Sequence, residues 1–137
     1  MEVVNEVRPS GRERIGEMMQ PGPPGPIYMV NLLKYRERAE YADGDRGLTG
    51  REAYDIYGSG VRAMLPRYGG AVVFAGDVTF LSLGQVEELW DEVAVVRYDS
   101  RAALWEMSTG PEWTELSVHR VAGLAGQLNI ETTAIDL

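Results

Sequence analysis

With 137 residues, 45% of them hydrophobic and 25% charged, the chain has the size and composition of one ordinary globular domain, not of a disordered or fibrous segment. Twenty-one acidic against 13 basic residues leave a formal net charge of -8, and the basic residues form no run, which argues against nucleic acid and anionic membrane as partners. The lack of cysteine excludes disulfides, thiolate metal sites and a cysteine nucleophile.

Residues 1–26 read as an N-terminal extension that ends in a linker. The opening MEVVNEVRPSGRER has no apolar core of the secretory kind, and no later stretch approaches the ~20 apolar residues that span a bilayer, so a cytoplasmic protein is expected. Ser10 and Glu13 have the spacing of a capping box before Ile15, Met18 and Met19, and this short helix runs into the spacer PGPPGP. The domain proper is expected over 27–137.

The run IYMVNLLKY at 27–35 is apolar enough to be covered on both faces, as a central strand is. Asn31 interrupts it. Residues 36–48 form a charged, glycine-containing loop, after which Thr49 and Glu52 make a second capping box. Ala53, Tyr54, Tyr57, Val61, Met64, Leu65 and Tyr68 then recur at helical spacing, one stripe for a sheet to cover. Gly58, Gly60 and Pro66 weaken that helix, so packing must hold it, and Gly69-Gly70 ends it.

Residues 71–83 read as a long strand bent or bulged near Gly76 and Asp77. Its alternation puts Val72, Phe74, Val78 and Phe80 on one face and Val73, Ala75 and Leu81 on the other. Gly84 opens a hairpin loop into an antiparallel strand over 90–98. Ser100 caps a helix that Gly110-Pro111 interrupts and PEWTELSVHRVAG resumes, with Trp113, Leu116 and Val121 available for packing. A last strand is expected over 127–135. The order βαββαβ predicts an α+β, ferredoxin-like fold in which two helices cover one face of a four-stranded antiparallel sheet. The other face would stay bare and apolar, so pairing with a second copy through that face is expected.

Four segments carry a resemblance: GPIYMVNLLKYRERA, the helix REAYDIYGSGV ending in RYGG, WDEVAVVRYDSRAA, and PEW followed by VHR. In this order, over residues 25–133, they resemble an uncharacterised bacterial family, domain-of-unknown-function family 1330 of the dimeric α/β-barrel superfamily. The resemblance implies a homodimer whose two sheets close into a barrel. It implies no particular reaction, because the superfamily includes cofactor-free monooxygenases, haem-degrading enzymes, polyketide cyclases, lactone isomerases and modules without known catalysis. In its monooxygenases an asparagine on the first strand faces the cleft between sheet and helices and holds substrate, and Asn31 resembles that residue in place.

Asn31 and His119 are the candidate catalytic residues. An amide inside an apolar strand must find partners, either a substrate or a neighbouring helix or loop. His119 is the only histidine, so acid–base work near neutral pH falls to it first; alternatively, four residues after Glu115 and near a helix end, it is an ordinary surface group. Tyr54, Tyr57, Trp90 and Arg120 are the candidate substrate-binding residues. Asp91 beside Trp90 either lines the mouth of a cleft or pairs with Arg97 at a strand edge.

No metal-ligand spacing, nucleotide loop or serine-nucleophile elbow is present, so neither metal nor cofactor is expected. The residues point to a homodimer that binds a small organic molecule, as a cofactor-independent oxygenase, cyclase or isomerase. The competing reading is a non-catalytic dimeric module whose cleft is filled by its own side chains.

Overall fold

The computed structural model describes residues 5–137; the first four residues of the expected extension lie outside it. After a short helix, α1 (Gly11–Met18), the strand β1 (Ile27–Tyr35) takes the middle of the sheet. It runs antiparallel to β3 (Glu92–Tyr98) on one side and to β4 (Leu124–Thr132) on the other, and β2 (Ala71–Asp77) pairs with the far side of β3. The expected four-stranded antiparallel sheet is therefore present, in the order β2-β3-β1-β4 of a ferredoxin-like fold. Among the described residues no helix is long and apolar enough to cross a membrane.

Local chemistry sets the helix ends. At the start of α2 (Gly50–Met64), Thr49 Oγ1 accepts from the Glu52 backbone N–H at 3.1 Å while Glu52 Oε1 accepts from the Thr49 N–H at 2.9 Å, a complete capping box. Pro66 tightens the following turn, Leu65–Tyr68, into a 3-10 helix, and Gly69 stops it with a left-handed φ of 67°. The Ser100 hydroxyl accepts from Ala103 N–H at 3.1 Å and opens α3 (Arg101–Ser108); Pro111 begins α4 (Pro111–Gly123).

The helices lie on one face of the sheet. Val61, Met64 and Leu65 from the α2 stripe meet Ile27, Tyr98 and Met107 in the main core, with Tyr57, Trp113 and Leu116 packed against it. Where α2 and α4 cross, backbone touches backbone: a β-carbon on Gly123 would collide with the Gly50 carbonyl oxygen, and one on Gly50 with the carbonyl oxygens of Arg36 and Gly123. The Arg36 and Glu40 N–H groups donate to the Gly123 and Ala122 carbonyl oxygens at 2.8 and 2.9 Å, so the loop after β1 is fastened to the end of α4.

Five expectations need correction. The strand expected over 71–83 stops at Asp77, opposite Glu92 where its neighbour β3 begins; one further bond, from Val78 N–H to the Asp91 carbonyl oxygen at 2.9 Å, closes the pairing. Its bulge falls between Val72 and Phe74 and not near Gly76, so Val72 faces Val96 while Phe74 faces Val95. The extra residue reverses the alternation, and Val72 and Phe74 lie on opposite faces instead of one. The last strand starts at Leu124, directly off α4, and ends at Thr132, opposite Tyr28 near the start of β1. Ser10 stands at the N-cap of α1 but makes no cap; its hydroxyl donates to the Glu6 carboxylate at 3.2 Å.

On the sheet face away from the helices, the register aligns Phe74, Val95, Val30 and Ile130 in one row across all four strands. Phe74 is 58% and Ile130 45% exposed in the single chain.

Candidate functional site

The helix-facing side of the sheet is not uniformly apolar. Gln127, Asn129 and Glu131 occupy alternate positions of β4, opposite Leu33, Asn31 and Met29 of β1, and all of these except Leu33 line a cleft of about 580 Å³. Tyr57, Leu104, Trp105 and Trp113 form its apolar wall from the helices. The N-terminal segment supplies a further wall through Val7, Pro9, Ile15 and Met18. That segment is tied in place: Gln127 N–H donates to the Glu6 carbonyl at 2.9 Å, and Arg101 Nη1 donates to the Glu17 carbonyl at 3.2 Å.

A directed row of hydrogen bonds crosses the floor of the cleft. Arg120 Nη1 donates to Gln127 Oε1 at 2.7 Å. Since a guanidinium only donates, Gln127 must present its oxygen there and turn its amide nitrogen to the sheet. That nitrogen donates to Asn31 Oδ1 at 3.1 Å and to Asn129 Oδ1 at 2.7 Å, and Asn31 Nδ2 in turn donates to the carbonyl oxygens of Met29 and Ala94 at 3.1 and 3.2 Å. Asn31 thus lines the cleft, but both ends of its amide are already used by the protein.

Arg120 is only 9% exposed, and its Nη2 donates to the Val7 carbonyl at 2.6 Å. Its Nε has no partner among the described residues, and the group stands 5.7 Å from the centre of the Trp113 ring. Burial, above all, lowers its pKa from the ordinary arginine value, against a smaller upward pull from Tyr57 and Tyr54; Arg8 adds the least, downward. At the rim, Arg101 grips Glu131 through two bonds of 2.7 and 2.8 Å, which holds that carboxyl below its usual range. Burial raises the hydroxyl pKa values of Tyr57 and Tyr98. Tyr57 also accepts from Trp113 Nε1 at 3.1 Å.

Of the other sequence candidates, Tyr54 stands one step behind the wall, its ring 5.4 Å from Tyr57 and 5.5 Å from Tyr35. Trp90 lies in the irregular stretch before β3 and is not among the cleft-lining residues. Neither is His119, the second candidate catalytic residue. A helix turns by about 100° per residue, so when Arg120 points to the cleft its neighbour points elsewhere. His119 Nδ1 lies 2.6 Å from the Tyr41 hydroxyl, in the loop fastened to α4. Burial first, and the Arg46 cation second, lower its pKa from the ordinary 6.5. Asp91 does not pair with Arg97; it accepts from Tyr35 N–H at 2.8 Å and lies 3.6 Å from Lys34 Nζ, while Arg97 takes Asp99.

The residues that sequence reasoning missed are Gln127, Asn129, Glu131, Arg101, Trp105 and the segment around Val7. The alternation Gln127-Leu128-Asn129-Ile130-Glu131 was a usable signal, since it puts one polar and one apolar face on the strand without saying which faces the helices. Among the described residues no three carboxylate or imidazole groups converge to hold a metal ion.

No family model and no curated protein sequence matches the chain. Among solved structures, RPA0582, a protein of unknown function from Rhodopseudomonas palustris, is 32% identical over 98% of this chain and 100% of its own, with a TM-score of 0.87. The methylated form of RPA0582 gives 34% identity, 98% of both chains and a TM-score of 0.88. A Caulobacter crescentus protein provisionally assigned as an antibiotic biosynthesis monooxygenase is 16% identical over 82% of this chain and 92% of its own, with a TM-score of 0.55, a likeness of fold alone.

Proposed function

The chain belongs to the same family as the Rhodopseudomonas palustris protein RPA0582, and from this premise we propose that it is a homodimer that binds a small, partly apolar organic molecule in the cleft between sheet and helices. One observation carries the reading: an apolar-walled cleft of about 580 Å³ whose floor holds an ordered polar row running from Arg120 through Gln127 to Asn31 and Asn129. Small-molecule sites combine these two properties, a mostly apolar lining and a few fixed polar groups. In this reading Tyr57 and Arg120 touch the ligand, Tyr54 backs Tyr57, and Asn31 holds Gln127 in register. His119 and Trp90 serve elsewhere in the fold.

The dimer is proposed through the row Phe74, Val95, Val30 and Ile130, whose apolar side chains a second sheet would cover. Placement within family 1330 and its dimeric α/β-barrel superfamily is part of the same proposal and rests on the four segments that carry the resemblance. A cofactor-independent oxygenase, cyclase or isomerase fits such a cleft. The non-catalytic reading is favoured by one specific arrangement: Asn31 is saturated and the only histidine lies outside the cleft lining.

The test is native mass spectrometry of protein purified from cells, followed by a small-molecule library read through Trp105 and Trp113 fluorescence. A retained or saturably bound organic compound is expected, and Leu104→Trp, which fills the cleft, should displace it. A folded protein that retains nothing and binds no library member at millimolar concentration would overturn the proposal.

A further inference from the structure

Arg120 is a buried cation to which no carboxylate is bonded among the described residues. Arg51, Arg97 and Arg101 each meet a carboxylate nearer the surface. Arg120, though only 9% exposed, is given two neutral oxygens, those of Gln127 and Val7, and its Nε donates to nothing among the described residues. A guanidinium taken out of water with neutral partners keeps an uncompensated charge, and a buried charge of this kind is costly unless an anion answers it.

The surroundings keep that charge unanswered. Among the described residues four arginines, Arg8, Arg14, Arg101 and Arg120, line the cleft against three glutamates. Of these glutamates, Glu131 is held by Arg101 and Glu6 accepts from Ser10; Glu17 is bound to Arg101 only through its backbone carbonyl. In a chain with a net charge of -8, the cleft is a local excess of positive charge.

We propose that the cleft ligand is an organic carboxylate and that Arg120 is its anion seat, with the aromatic wall taking the apolar remainder. The inference rests on the reading of the cleft as a ligand site. The planar guanidinium offers a carboxylate parallel donors that no lysine would match. Gln127, whose oxygen is already turned to Arg120, fixes the plane of that guanidinium, so it is a positioning residue. Trp105, Trp113, Tyr57 and Leu104 select for a flat or branched hydrocarbon portion.

The experiment compares acids with their neutral isosteres on the whole chain. Binding of 3-phenylpropanoate and 3-phenylpropanamide, and of a series of aliphatic and aromatic acid–amide pairs, is measured at neutral pH by tryptophan fluorescence and ligand-observed NMR. The acids should bind the wild-type protein tighter than their amides by a factor on the order of ten or more, and added salt should narrow the gap. Arg120→Met should abolish the preference. Gln127→Glu, which lays an internal carboxylate on the guanidinium, should weaken the acids by a larger factor than their amides. Equal binding of acids and amides would overturn the carboxylate assignment while the small-molecule cleft stands. Saturable binding of neither would overturn the cleft reading and this inference with it. The wild-type comparison decides between these outcomes even if Arg120→Met does not fold.

Discussion

The Tyr41 hydroxyl lies 2.6 Å from His119 Nδ1, and the two rings meet edge-on with centroids 5.5 Å apart. The histidine therefore pins the loop after β1 to α4. Its pKa is lowered by burial and by Arg46, so as pH falls the unfolded chain takes up the proton before the folded one. Stability from the neutral ring is complete above its ordinary 6.5 and is lost as pH drops below it. Melting curves between about pH 8 and pH 5 should show this decline in the wild type and a flatter one in His119→Gln. His119→Ala should cost about 1 kcal/mol, a melting-temperature drop of about 2–5 °C, and leave cleft binding untouched. A tenfold loss of ligand affinity in that variant would return His119 to the site.

Gln127 accepts from Arg120 and donates to two asparagines. Gln127→Leu removes the acceptor from a buried cation and should destabilise by about 1–3 kcal/mol in urea unfolding. Asn129→Ala, at an exposed position, should cost less than about 1 kcal/mol. Equal effects would mean that the polar row is not a structural unit.

At the crossing of α2 and α4, Gly50 and Gly123 touch through backbone atoms alone. Gly50→Ala and Gly123→Ala should each lower stability by about 2–4 kcal/mol, because the added carbon meets carbonyl oxygen that cannot move aside without parting the helices. The double variant should lose less than the sum, since the helices need separate only once. Additive losses in denaturant titrations would argue that the two glycines act independently.

The dimer proposal is checked on the bulged strand. Phe74 lies on the outer row, its ring against Gly76, whereas Val72 pairs with Val96, which packs against the core. Sedimentation should give twice the chain mass for the wild type and for Val72→Lys, but a monomer for Phe74→Lys, which buries a charge between two sheets. A wild-type monomer, or a Phe74→Lys dimer, would reject the proposed face.

Much of the frame was legible from short-range chemistry. The Thr49–Glu52 box, the Ser100 cap, the Gly69 stop and the apolar run of β1 each fixed an element where the structure has it. What was not legible depended on partners far away in sequence. The end of β2 is set by where β3 begins, and the Val73 bulge by the same ladder, so neither could be read from residues 71–83 alone. Asn31 was recognised because an amide in an apolar strand stands out. Its partner Gln127 was not, because polar residues alternating along β4 suit solvent as well as a cleft. The N-terminal segment around Val7 looked like an appendage, because no periodicity marks a stretch held by single bonds to Gln127 and Arg120.

The bare backbone crossing of Gly50 and Gly123 has an evolutionary consequence. Two positions 73 residues apart share one space, so a lineage that gains a side chain at one must shift a helix before it can tolerate the other. Among descendants that keep this crossing, glycine should therefore persist at both sites through drift that rewrites the surface and much of the cleft. The pair offers a fingerprint for distant members of the family that is independent of whatever each has come to bind.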